Sequence, residues 1–75
     1  MQVSYDTEAD ALYVRFRDPR GVIRSEALDD LRMIDRDDDG VVGVELLEVS
    51  HGLNLAGLPD ADAIARVIRS MSQPA

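Results

Sequence analysis

Asp35-Arg36-Asp37-Asp38-Asp39-Gly40-Val41-Val42-Gly43-Val44-Glu45-Leu46-Leu47 is a run of carboxylates closed by a glycine and followed at once by the most apolar segment of the chain. Two readings compete for it. Three acidic residues on alternate positions ahead of a glycine open a calcium loop, which needs oxygen ligands and a sharp turn. Asp-Gly between two apolar runs is also a hairpin signal, because these residues tolerate the positive φ that both central positions of a type I′ turn require. With Asp35 at the first loop position, the bidentate Glu belongs where Leu46 stands, and Glu45 and Glu48 flank that place without filling it. No helical pattern precedes the loop either. The stretch is read as a hairpin tip, with Asp35, Asp37 and Asp39 kept as candidate ligands for calcium or another divalent cation.

Downstream of the tip, residues 41–49 carry Val42, Val44 and Leu46 on one face and Val41, Leu47 and Val49 on the other. A strand apolar on both sides belongs in the middle of a sheet covered above and below. Gly43 interrupts the second face; a glycine inside a strand marks a bulge or a close approach to its backbone. Upstream, 31–36 reads as the other arm of the hairpin. Residues 21–28 form a strand with two mixed faces and are assigned to an edge, where charge discourages stray pairing. Before it, Asp18-Pro19-Arg20-Gly21 has type I turn chemistry. Ala11 to Arg17 alternates most cleanly, with Leu12, Val14 and Phe16 inward and Tyr13, Arg15 and Arg17 outward. Gln2 to Tyr5 is a short first strand.

Residues 51–59 form a connection rich in Gly and Leu, too broken for a regular element. A helix over 60–72 follows, with Asp60 as N-cap and Asp62 in the first turn. At 100° per residue, Ala61, Ile64, Val67, Ile68 and Met71 share one face, and Asp62, Arg66 and Arg69 lie opposite. Ser72-Gln73-Pro74-Ala75 is expected to fray. The expected architecture is one α+β domain: an antiparallel β meander of four or five strands over 2–50, and one C-terminal α-helix packed on one face. Tyr13, Val41, Gly43, Leu47 and Val49 then lie on a face without a cover. They are the candidate interface for a homodimer or a partner protein, with the helix as the alternative surface.

At 75 residues the chain buries a modest fraction of its surface, and it has no cysteine to staple the fold. Its formal net charge of −7 argues against nucleic-acid and anionic-membrane binding, which rely on a basic footprint. All eight basic residues are arginines, and most lie in the first half, where they are read as solvated partners of neighbouring Asp and Glu. The N-terminus lacks the basic flank and apolar run of a secretory signal, and no stretch approaches membrane-spanning length, so a cytoplasmic location is expected.

Tyr5-Asp6-x-Glu8-Ala9-Asp10-Ala11-Leu12-Tyr13-Val14, the Ile34-Asp35-x-Asp37-x-x-Gly40 turn and Val42-Gly43-Val44-Glu45-Leu46-Leu47-Glu48-Val49-Ser50 resemble, in this order, a bacterial family catalogued as Domain of Unknown Function 2283. Where that family commonly has Ala before the Ser, this chain has Val49, and the C-terminal helix lies outside the shared motifs. The resemblance implies a small β-rich domain with no established activity and an association with toxin–antitoxin gene pairs. An enzyme reading rests on His51, the single histidine, beside Ser50 in a Gly-flanked loop. Nucleophilic catalysis needs both side chains aimed together, whereas adjacent strand residues point to opposite faces. The sequence is read as a non-enzymatic binding module without a cofactor, antitoxin-like in character; cation binding at the acidic hairpin is second, and a small hydrolase using His51 third.

Overall fold

In a computed structural model, residues 1–72 are described, the side chain of Ser72 excepted. Five strands, β1 (Gln2–Asp6), β2 (Ala11–Arg15), β3 (Arg24–Asp29), β4 (Arg32–Asp37) and β5 (Gly40–Leu47), precede a 3-10 turn at Val49–His51 and the helix α1 (Ala61–Ser72). The strands form one sheet in the order β1-β2-β5-β4-β3, with every neighbouring pair antiparallel. This is the α+β architecture that the alternation and the helical face indicate. The order is not a plain succession, because β5 lies between β2 and β4. Residues 16–23 therefore cross from one half of the sheet to its far edge.

The core lies between the sheet and the helix. Leu12 and Val14 of β2, Ile34 of β4, Val44 and Leu46 of β5, Leu58 of the connection and Ile64 of α1 make one buried cluster. Ile64 is wholly inaccessible and Ala61 and Ile68 pack against the same cluster, whereas Met71 in the last turn is 55% exposed. Asp62, Arg66 and Arg69 face outward, so the helical periodicity places its faces correctly. The connection also tucks two of its leucines inward, Leu58 fully and Leu55 in part, and leaves Leu53 outside. The first helical hydrogen bond runs from the Ile64 N–H to the Asp60 carbonyl, 3.0 Å. Of the stretch expected to fray, Ser72 closes the helix, and residues 73–75 lie outside the described residues.

Three local features depart from simple alternation. The β4–β5 register runs from Asp35 opposite Gly43 to Arg36 opposite Val41, a bulge that leaves Val42 as the extra residue. An extra residue shifts the alternation on one side of it, and Val41 packs against the helix-side core rather than on the open face. At the other end of β5, Glu48 adopts a left-handed conformation, φ 54°, which redirects the chain and turns Val49 onto the same core. Two residues assigned to an uncovered face thus pack, partly buried, against the core. The hairpin tip differs as well. Among the described residues the non-glycine positive-φ positions are Asp10, Glu48 and Asp60, so Asp39 is not in the type I′ conformation, and only Gly40, φ 122°, takes positive φ there. The Asp37 carboxylate instead accepts the Asp39 N–H at 2.9 Å and holds the loop from within.

Candidate functional site

The open face of the sheet is polar and internally bonded. In register across it lie Arg15 of β2, Gly43 of β5, Asp35 of β4 and Ser25 of β3. Tyr13, two residues along from Arg15, lays its ring diagonally over Gly43 and donates its hydroxyl hydrogen bond to Asp35 Oδ2 at 2.9 Å. Ser25 Oγ donates to the other oxygen, Oδ1, at 2.6 Å. The ring can cross because Gly43 has no Cβ: one built there would stand 2.5 Å from the Val14 carbonyl oxygen and 2.8 Å from the Tyr13 hydroxyl. Burial of the ring, with its bond to the Asp35 carboxylate, pushes the Tyr13 hydroxyl pKa up to about 12. The close approach signalled by Gly43 is intramolecular. Of the five candidate interface residues, Tyr13 and Gly43 cover each other, Val41 and Val49 are partly buried against the core, and half-buried Leu47 is left beside Ala11.

The acidic hairpin is built around an arginine. Asp37 is 3% exposed and accepts Arg17 Nη2 at 2.5 Å on Oδ1 and Arg17 Nη1 at 2.8 Å on Oδ2. It also accepts the backbone N–H of Arg20 at 2.7 Å and of Asp39 at 2.9 Å. These donors, the bidentate guanidinium first, hold its pKa well below the usual carboxylate range. Arg17 and Arg20 belong to the crossing segment 16–23, so the clasp pins that segment over the end of the β4–β5 hairpin. Asp35 is committed to Tyr13 and Ser25, and Asp39 lies 3.8 Å from Arg20. Among the described residues no group of three or more His, Asp or Glu side chains is arranged to hold a metal ion. The alternate spacing of Asp35, Asp37 and Asp39 therefore does not bring them round one point.

A third cluster joins segments forty positions apart. Asp10, φ 52° in the β1–β2 turn, accepts Ser50 Oγ at 2.6 Å, the Ser50 N–H at 3.1 Å and the Tyr5 hydroxyl at 2.8 Å. The Ser50 bond, then the Tyr5 bond, lower the Asp10 pKa. Val49 N–H adds a bond to the Asp10 carbonyl at 3.1 Å, so the end of β5 is tied to the first turn. The Ser50 hydroxyl hydrogen is thus directed to Asp10 rather than to His51, which sits exposed in the 3-10 turn. Beside this cluster Tyr5, Leu12, Val49, Ser50, Ile68 and Met71 line a shallow apolar groove between sheet and helix. Neither this contact nor the Arg17–Asp37 clasp follows from local spacing; the signal available was that Tyr5, Asp10 and Ser50 all fall in the shared motifs.

The fold and its bonded clusters define a class: a small antiparallel α+β domain whose recurring Tyr, Asp and Ser residues bind its own chain segments together. Residues 2–50 match the family described as "Protein of unknown function (DUF2283)", and the chain belongs to it. No curated protein and no solved structure matches the chain. The match spans all five strands, the Tyr5–Asp10–Ser50 tie and the Arg17–Asp37 clasp, and excludes α1. Among the described residues no helix is long and apolar enough to cross a membrane.

Proposed function

We propose that this chain is a non-enzymatic binding module, acting in the cytoplasm as a homodimer or as half of a pair with a protein encoded beside it, in the manner of an antitoxin. The observation that carries the reading is the set of large apolar side chains left outside a very small core. Val22 is 74% exposed and Ile23 and Leu28 more than 40%, all along the β3 side, while Tyr5 and Met71 stand out at the other end of the sheet. Both outer strands, β1 and β3, are also free along one edge among the described residues. Unpaired edge groups and exposed apolar side chains are what a second chain covers.

The acidic balance favours a basic partner where the partner is a different protein. The reading is tested by the solution mass of the purified chain, alone and co-expressed with the product of the adjacent gene, by light scattering after size exclusion. A dimer or a stoichiometric complex supports it; a monomer that forms neither refutes it. Val41→Asp and Val49→Asp would report on folding, since both side chains pack against the core.

A further inference from the structure

β3 ends the sheet on one side, and all six of its residues are exposed. The segment just before it adds Val22 and Ile23, so the edge reads Val22-Ile23-Arg24-Ser25-Glu26-Ala27-Leu28. This sequence is complementary to its own reverse. About Ser25 it runs apolar, apolar, positive on one side and negative, apolar, apolar on the other. The rest of the chain is strongly acidic, with a net charge of −7, but this segment carries one Arg and one Glu and is locally neutral.

We propose, resting on the binding-module reading, that the partner at this edge is a second copy of the chain, joined β3 to β3 antiparallel about a two-fold axis through Ser25. The axis sets Arg24 against Glu26 of the second copy, Ile23 against its Ala27, Val22 against its Leu28, and Ser25 against its own equivalent. The two sheets become one. A two-fold interface has to be self-complementary in this way, and opposite charges directly across a strand pair are favourable whereas like charges are not. Neighbouring two-fold registers fail on that count: an axis through Glu26 stacks Glu26 on itself, and one through Arg24 stacks Arg24 on itself. The charges that guard an edge against indiscriminate pairing thus favour this register over its immediate neighbours.

Within one chain, Arg24 lies 3.4 Å from Asp38, and Glu26 lies 3.7 Å from Arg36. Both pairs are exposed and weak enough to exchange. Leu28 is the extra residue where the β3–β4 register shifts between Ala27 and Asp29, so its side chain is not committed to the β4 ladder. An edge contact of this length lies at the small end of specific interfaces, and the dimer is accordingly concentration-dependent.

The chain has no cysteine, so one introduced thiol is diagnostic. Residues directly opposite in an antiparallel pair have Cα atoms about 4.5 or 5.5 Å apart, both within the range a disulfide spans. Ser25→Cys should oxidise to a covalent dimer of twice the 8.3 kDa chain mass. Ile23→Cys and Ala27→Cys should form no covalent dimer separately and cross-link when mixed. By light scattering, Arg24→Glu and Glu26→Arg should each abolish the dimer while the chain still unfolds in a cooperative melt, and the double exchange should restore it. A dimer that cross-links through Ser4→Cys on β1 but not through Ser25→Cys overturns this interface and leaves the binding-module reading standing. A wild type monomeric at every concentration overturns the proposal, and that reading then rests on the neighbouring protein alone. Equal cross-linking of Ile23→Cys and Ser25→Cys on their own overturns the register.

Discussion

Replacing Gly43 with Ala tests the Tyr13 bridge most directly, because local propensity and the structure predict opposite signs. Glycine inside a strand is destabilising by roughly 0.5–1 kcal/mol relative to Ala, so propensity alone predicts a gain. In the fold the new Cβ would meet the Val14 carbonyl oxygen at 2.5 Å, the Tyr13 hydroxyl at 2.8 Å and the Tyr13 ring carbon Cζ at 3.0 Å. The first is backbone and cannot rotate away. Overpacking of this kind costs about 1–3 kcal/mol, which after the propensity gain leaves a net loss of up to about 2.5 kcal/mol, with a midpoint of about 1 kcal/mol. For a domain of this size the midpoint lowers Tm by roughly 4–8 °C. Thermal and urea melts read the stability, and absorbance at alkaline pH reads the bridge. If the ring is displaced, the Tyr13 pKa falls from about 12 towards the ordinary value of 10.0. The cost should be smaller in a Tyr13→Ala background, where only the carbonyl contact remains. A Gly43→Ala protein as stable as wild type or more so, with its tyrosine titration unmoved, would refute the close-approach argument.

Asp37→Asn keeps the shape of the clasp but removes the charge opposite the Arg17 guanidinium; thermal melts should show Tm lowered by roughly 10 °C or more, with the crossing segment 16–23 losing hydrogen-exchange protection first. Stability should fall in acid. The Asp37, Asp10 and Asp29 carboxyls titrate below their ordinary value of 3.8 in the fold, so the stability they contribute is present above that value and is lost as pH drops through their lowered folded pKa values; urea midpoints between pH 6 and 2 measure this, and Asp37→Asn should flatten the profile. Stability should also fall in alkali, because Tyr13 ionises near 10.0 when unfolded and at about 12 when folded, and Tyr13→Phe should remove that loss. Ile64→Ala, at a wholly buried site where the helix meets the sheet, should cost about 2–5 kcal/mol in urea melts, enough to leave much of so small a domain unfolded.

Features governed by an unbroken period were legible in the sequence. Leu12, Val14, Val44, Leu46 and Ile64 could be placed in the core from their spacing, and Asp62, Arg66 and Arg69 on the outer face of the helix. Legibility failed where a single residue breaks the count. Val41 sits on the wrong side of an extra residue in β5, and Val49 follows a left-handed Glu48, so each lies on the face opposite to its parity. Neither the bulge nor the turn has a compositional marker beyond the nearby glycine, since both are selected by what they let the chain pack against. The strand order was out of reach for a related reason. Whether β5 lies beside β2 or outside β4 depends on contacts such as Ser50 to Asp10, which join residues far apart and leave no local pattern.

The acidic hairpin shows the same limit acting on chemistry rather than on fold. Asp35, Asp37 and Asp39 repeat at the strand period, which is what a ligand set would also do, and sequence alone weighs them against an ion that is not part of the chain. The competing donors were in the sequence all along, as arginines of the first half. Each of these has an acidic partner: Arg15 with Asp18, Arg17 with Asp37, Arg20 with Asp39, Arg24 with Asp38, Arg32 with Asp29 and Arg36 with Glu26. Most of these pairs are open to solvent and add little stability. Arg17 and Asp37 differ because the carboxylate is buried and takes two further donors, the Arg20 N–H from the crossing segment and the Asp39 N–H from the hairpin loop. The Asp37 carboxylate accepts four hydrogen bonds from its own chain, two on each oxygen. Among the described residues, what stays open lies at the two sheet edges and in the exposed apolar side chains beside them.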